Sequence, residues 1–149
     1  MIYLACDHNG VEKMKFVKEW LTKNGYEYVS VGADEYVKTD SYVDYVKLAN
    51  KEVKKEGNMG VYMCGTGVGA CIAANRCKGV RAVLCSMPDT AHFSRRHNNA
   101  NVLVLSGGYK GYPKMCKFKM ARILKAFFKT EFEGDRHIQR VKDLDEMYK

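Results

Sequence analysis

The sequence predicts an α/β protein: a Rossmann-like three-layer sandwich with a five-stranded parallel sheet, helices on both of its faces and a C-terminal helix. Three observations predict it. Short runs rich in Val, Ile, Leu and Tyr alternate along the chain with longer stretches of helical period. Those stretches are long enough to serve as crossovers, which parallel neighbours need. A turn with alternate glycines, Cys64-Gly65-Thr66-Gly67-Val68-Gly69, stands between an apolar run and an alanine-rich stretch, where a strand hands over to a helix.

The elements follow in order. Ile2 to Cys6 reads as a strand. Val11 to Asn24 reads as an amphipathic helix with Met14, Phe16, Val17, Trp20 and Leu21 inward, stopped by Gly25. Tyr26 to Val31 is the second strand, Tyr42 to Glu56 the second helix, and Gly60 to Met63 the third strand before the glycine turn. Ala70 to Asn75 opens the helix after that turn. Val80 to Cys85 makes strand four, Asp89 to His97 a helix, and Asn101 to Leu105 strand five. A long helix is expected from about Pro113 to Lys129, and a final one from Arg136 to Tyr148.

A chain of 149 residues with 46% hydrophobic content supports one domain with one sizeable core, here residues 1–149. Only two prolines occur, and no low-complexity stretch or internal repeat marks a linker. The opening Met1 to Cys6 is apolar but lacks a basic leader, and it meets Asp7-His8 before a signal core could form. No run has the length of a membrane span, so a cytoplasmic protein without a membrane partner is expected. The six cysteines have irregular spacing and no zinc-ligand pattern, which argues for reduced thiols and no metal. Cys6, Cys71, Cys77 and Cys85 read as small buried apolar residues.

The net charge of +8 raises a nucleic-acid reading, with Lys114, Lys117, Lys119, Arg122, Lys125 and Lys129 in one segment. Their spacing weakens it. They alternate at helical intervals with Met115, Phe118, Met120, Ile123, Leu124, Phe127 and Phe128, so a solvated face opposite a core face accounts for them and no nucleic-acid partner is expected.

Chemistry concentrates at the glycine turn. Gly65, Gly67 and Gly69 free the backbone to aim N–H groups into one concavity, which suits an enediolate, a phosphate or a carboxylate. The turn is neither a Walker element nor a dinucleotide fingerprint, so no nucleotide cofactor is expected. An anion-binding setting favours the Cys64 thiolate, while apolar neighbours oppose it. In open parallel sheets ligands bind beyond the carboxyl ends of strands, which is where Asp7, His8 and Cys64 fall. Asp7 and His8 could combine a base with a hydrogen-bond donor, or Asp7 could merely cap a helix. His97 could complement a helix C-terminus or act as a general acid or base. Arg136 and Arg140, one helical turn apart, could grip a single phosphate with help from His137, or form an exposed basic stripe with Lys142.

Taken together, these segments resemble the ribose-5-phosphate isomerase B and galactose-6-phosphate isomerase family. The resemblance runs through Cys6-Asp7-His8, the Cys64 to Gly69 turn with Ile72-Ala73-Ala74-Asn75, and Gly79-Val80-Arg81-Ala82. It continues through Ser94 to Asn98, Ala100-Asn101-Val102-Leu103 and Arg136-His137-Ile138-Gln139-Arg140. It implies a metal-free and cofactor-free aldose–ketose isomerase, commonly a homodimer or a dimer of dimers whose active sites lie between subunits. By this resemblance Cys64 abstracts the carbon 2 proton, and the amides from Gly65 through Gly67 and Val68 to Gly69 stabilise a cis-enediolate. Thr66 hydrogen-bonds the same oxygens. Asp7 and His97 open the furanose ring, His8, Arg136 and Arg140 bind phosphate, and Tyr42 and Asn98 contact the sugar. One branch of the family carries its base as glutamate at the position of Ala70; Cys64 places this chain in the cysteine branch.

The complete set on one chain favours ribose 5-phosphate and ribulose 5-phosphate as substrates. The alternatives are a hexose 6-phosphate, allose or galactose 6-phosphate, and a non-catalytic sugar-phosphate sensor. Four positions depart from the family pattern: Gly108 where an arginine is frequent, Asp135 for glycine, Val43 for proline and Asn99 for aspartate. Lys110 is the expected replacement for that arginine.

Overall fold

The computed structural model describes residues 1–112 and 115–147. Its sheet contains β1 (Ile2–Cys6), β2 (Tyr28–Ser30), β3 (Met59–Cys64), β4 (Ala82–Leu84) and β5 (Val102–Ser106). All neighbours are parallel, in the order β2-β1-β3-β5-β4. The helices are α1 (Val11–Lys23), α2 (Tyr42–Val53), α3 (Val68–Ala74), α4 (Pro88–Asn98), α5 (Lys117–Lys129) and α6 (His137–Glu146). The α/β sandwich is therefore as the sequence predicts, and no helix among the described residues is long and apolar enough to cross a membrane.

The three central strands are buried on both faces, so alternation along them sorts side chains into two cores. Leu4, Cys6, Val61, Met63, Leu103 and Leu105 face α1 and α5 and meet Met14, Val17, Leu21, Ile123 and Phe127. Ala5, Tyr62, Cys64, Val102 and Val104 face α2 and α3 and meet Val46, Ala49, Val53, Ala70 and Ala74. Truncating one of these fully buried large side chains to alanine costs about 2–5 kcal/mol. One buried polar chain ties the second core together: Tyr62 Oη donates to Asn50 Oδ1 at 2.9 Å, and Asn50 Nδ2 donates to the Ala74 carbonyl at 3.1 Å.

Element ends differ from expectation for identifiable reasons. β2 and β4 are edge strands and come out shorter, although Val31 and Cys85 each extend the ladder by one hydrogen bond. α2 stops at Val53 rather than Glu56, because Asn58 Nδ2 caps the Glu52 carbonyl at 2.9 Å and Gly57 turns the chain at φ 81°. α3 starts at Val68, before the expected Ala70. α5 starts at Lys117 after an extended Cys116; Pro113 and Lys114, where the helix was expected to begin, lie outside the described residues, as does Tyr148. Arg136 is the residue before α6 rather than its first turn.

The inward face of α5 holds Met120, Ile123, Leu124 and Phe127, but Phe118 is 74% exposed and stands outside the core, with the Arg122 guanidinium 6.0 Å from its ring centre. Phe16 and Trp20 of α1 pack only partly buried against the first core. All six cysteines are free; Cys6 and Cys85 are buried, whereas Cys71 and Cys77 are only half-buried.

Two asparagines of the Ala74-Asn75 and Ala100-Asn101 segments turn out to be architectural. Asn75 Oδ1 accepts from the Ala82 amide and its Nδ2 donates to the Ala82 carbonyl, both at 2.9 Å, so the side chain acts as one more partner for edge strand β4. Asn101 does the same for the approach to β4, accepting from the Arg81 amide and donating to the Gly79 carbonyl, both at 2.8 Å.

Candidate active site

Register builds the centre of the site. Cys6 pairs with Met63 and Cys64 with Ser106, so continuing β1 by one residue sets Asp7 beside Cys64 on the neighbouring strand. Alternation gives both the same face, since Ala5, Tyr62 and Cys64 all point to the α2–α3 layer. Both residues are 5% exposed. Burial raises the Asp7 carboxyl above the usual carboxylate range, against the opposing pull of the Asn9 amide and His8. Asp7 does not cap α1: its Oδ1 accepts from the Asn9 amide at 3.0 Å, and the residue before the helix is Gly10.

The glycine turn is shaped from both sides. Gly67 is left-handed at φ 82°, and a Cβ there would stand 2.6 Å from Leu84 Cδ1 and 3.0 Å from the Leu105 carbonyl oxygen. The Tyr42 ring lies so close over Gly69 that a Cβ would meet its Cζ at 2.5 Å. The turn's carbonyls are tied back: Gly107 N–H donates to Cys64 O at 2.8 Å, and Gly108 N–H and Ser106 Oγ donate to Gly65 O at 2.9 Å each. Among the described residues the amides of Thr66, Gly67, Gly69 and Ala70 have no acceptor, which leaves them for an anion. Thr66 Oγ1 accepts from the Val68 amide at 3.3 Å and keeps its own proton to donate.

His8 sits at the same edge, with Nδ1 2.5 Å from Asp40 Oδ1 and Nε2 2.9 Å from Asn9 Nδ2. Asp40 was not visible as a site residue in the sequence, because the contact joins positions 32 apart through a loop of no regular period.

A second group of predicted site residues collects at the opposite edge. α4 runs back from the end of β4, so His97 and Asn98 in its last turn lie where the strands begin, roughly 16 Å from the helix start at 1.5 Å per residue. There His97 stacks on His137, with ring centres 4.6 Å apart and planes 13° apart. Arg136 Nε approaches His137 Nε2 at 3.4 Å, and Arg140 Nη1 approaches its Nδ1 at 3.5 Å. Glu133 pairs with Arg96 beside them. Burial first, then the His97 and arginine charges, pushes the His137 imidazole below its ordinary range. One chain therefore joins Asp7, His8, Tyr42, Cys64, Thr66 and the glycines in one place, and His97, Asn98, Arg136 and Arg140 in another.

Local geometry suits the residues found at Asp135, Asn99 and Val43, three of the positions that the resemblance marks as departures. Asp135 and Asn99 are left-handed at φ 46° and 47°, which suits glycine or a short polar side chain. The Val43 amide donates to Ser41 Oγ at 3.3 Å to cap α2, a bond proline cannot make. Beside Gly108 stands Lys13, whose Nζ donates to the Ser106 carbonyl at 3.1 Å, while Lys110 is exposed.

The fold and this edge define an α/β protein that sets a thiol and a raised-pKa carboxyl beside an amide-lined turn, an arrangement for moving protons next to a developing oxyanion. The chain belongs to the Ribose/Galactose Isomerase family, whose model matches residues 2–144. It is 37% identical over 142 residues to the probable ribose-5-phosphate isomerase B of Mycoplasma genitalium, covering 94% of this chain and 90% of that protein. It is likewise 37% identical over 142 residues to ribose-5-phosphate isomerase B of Escherichia coli, covering 94% and 91%. The crystal structure of the Mycoplasma genitalium enzyme with bound ribulose 5-phosphate superposes with a TM-score of 0.90 at 36% identity, over 98% of this chain and 94% of that one. Ribose 5-phosphate isomerase B of Anaplasma phagocytophilum gives a TM-score of 0.88 at 39% identity, over 96% and 94%.

Proposed function

We propose that this protein is an aldose–ketose isomerase that interconverts D-ribose 5-phosphate and D-ribulose 5-phosphate through a cis-enediolate, and that its working site is assembled from two copies of the chain. The observation that carries the chemistry is Cys64 beside Asp7 at the edge of an amide-lined turn. The relatives named as ribose-5-phosphate isomerases supply the substrate.

In this reading the ring opens when Asp7 takes the proton of the carbon 1 hydroxyl and His97 of the second copy donates one to the ring oxygen. The thiolate of Cys64 then removes the carbon 2 proton of the open-chain aldose. Charge develops on the carbon 1 oxygen, where the amides of Thr66, Gly67 and Gly69 and the Thr66 hydroxyl stabilise it. The proton held by Cys64 returns to carbon 1, and the carbon 2 hydroxyl passes its own to the carbon 1 oxygen, leaving a ketone at carbon 2 and a hydroxyl at carbon 1. His8, Arg136 and Arg140 hold the phosphate, the arginines forming the charge-assisted bonds that fix it far from the thiol. Tyr42 and Asn98 contact sugar hydroxyls.

Two features support assembly from two copies. His97, Asn98, Arg136 and Arg140 stand at the amino edge of the sheet, where the same chain's Cys64 cannot use them. Val68 and Ile72, beside the glycine turn, Leu144 on the last helix and Met147 just after it expose apolar surface that a second copy would cover.

Cys64→Ala tests the assignment of the base. Exchange of the carbon 2 proton with solvent should fall by roughly a thousandfold, while ribose 5-phosphate still binds in calorimetry. Retained exchange would remove Cys64 from the role. Allose 6-phosphate and galactose 6-phosphate, assayed on the same preparation, should turn over more slowly than ribose 5-phosphate.

A further inference from the structure

His8 shares an edge with Asp7 and Cys64, yet its ring is held by Asp40. The loop after β2 brings Asp40 there. Gly32 crosses the end of β1 so closely that a Cβ would stand 2.3 Å from the Cys6 nitrogen, and the Ala33 amide donates to the Cys6 carbonyl at 2.8 Å. A turn closed by the Asp40 amide on the Val37 carbonyl, at 3.0 Å, then carries the carboxylate toward the loop after β1.

Asp40 Oδ1 accepts twice from one residue, from the His8 amide at 3.2 Å and from His8 Nδ1 at 2.5 Å. The Asp40 side chain is 8% exposed, and its Oδ2 is buried, with the Tyr45 hydroxyl interacting with the carboxylate. A carboxylate held this deep costs stability, so packing alone does not account for this residue. Around the pair stand Asp7, the Asn9 amide, the Tyr36 ring edge-on at 5.0 Å, and the Tyr45 phenol, which burial and then the Asp40 charge push up.

We propose that Asp40 is a positioning residue for substrate binding: it fixes His8 as the Nδ1–H tautomer in one ring orientation, so that Nε2 is the atom His8 presents to the sugar phosphate. A carboxylate only accepts, and a neutral imidazole has one N–H, so the proton stands on Nδ1 and the lone pair on Nε2. The Nε2 contact with the Asn9 amide, a donor, is consistent with that assignment. The second bond, from the His8 amide to the same oxygen, locks the ring to its own backbone. When ligand binds, Nε2 exchanges the Asn9 amide for a sugar hydroxyl as its donor, or as part of an imidazolium donates to a phosphate oxygen. The identity of the ligand rests on the isomerase reading; the tautomer does not.

The test combines long-range proton–nitrogen NMR of the imidazoles at mildly alkaline pH with steady-state kinetics on ribose 5-phosphate, for wild type, Asp40→Ala and Asp40→Asn. Wild-type His8, assigned through His8→Gln, should carry its proton on Nδ1. In Asp40→Ala the proton should move largely to Nε2, with KM rising roughly tenfold and kcat changing less than about twofold. Asp40→Asn, whose amide oxygen still accepts from Nδ1–H, should keep the tautomer and most of the wild-type KM; it also guards against a fold lost in the alanine variant. A wild-type proton on Nε2, an unchanged tautomer in Asp40→Ala, or a changed tautomer with unchanged KM would each overturn the proposal. Wild-type protein without isomerase activity would defeat the functional reading while the NMR comparison still decided the Asp40–His8 assignment.

Discussion

Cys64 differs from the chain's other cysteines by position. Burial pushes the thiols of Cys6 and Cys85 up to about 12 and makes them inert packing groups. Cys64 is the cysteine that ends a central strand beside a carboxyl and a run of unengaged amides. That position was legible in the sequence, since a strand, a cysteine and alternate glycines specify a turn by local rules alone. Asp40 was not, because nothing local distinguishes it from the exposed acids of its loop. The departures at Asp135 and Asn99 became interpretable only through backbone angles. Asp135 holds φ 46° next to Arg136, so Asp135→Gly should remove strain and raise stability by roughly 0.5–1 kcal/mol in urea unfolding, despite the greater freedom of glycine when unfolded. A lower midpoint would show that the aspartate side chain makes a favourable contact there.

Among the elements, the central strands and the amphipathic helices α1, α2 and α5 were legible because their burial imprints a period on the sequence. The edges were less so. β2 and β4 bond on one side only, and their ends are decided by partners such as Asn75 and Val104 that a local window does not contain. α6 is the element whose chemistry the sequence understated. Its first residue, His137, is buried against His97 of α4, with Arg136, Arg140 and Glu133 around it. Its imidazole lies below 6.5 when folded and near that value when unfolded, so the stability it contributes is full above pH 6.5 and is lost as pH falls through the folded value. Urea midpoints should therefore fall more steeply below pH 6.5 in wild type than in His137→Asn. Parallel curves would mean that His137 titrates alike in both states.

For the molecule as a whole, topology decides what one chain can do. Parallel strands send every βα turn to one edge and every αβ turn to the other, so Cys64 and His97 are separated by the length of the sheet. The sequence placed both residues in one site by resemblance, and the structure of a single chain keeps them apart; two copies arranged around a two-fold axis would bring them together twice. The decisive measurement is complementation between two inactive variants. Cys64→Ala and His97→Asn are each purified, mixed in equal amounts, dissociated and reassociated, and assayed on ribose 5-phosphate. A shared site predicts about one quarter of wild-type activity, because half of the dimers are mixed and one of their two sites is intact. A mixture as inactive as its components would contradict a site built from two chains.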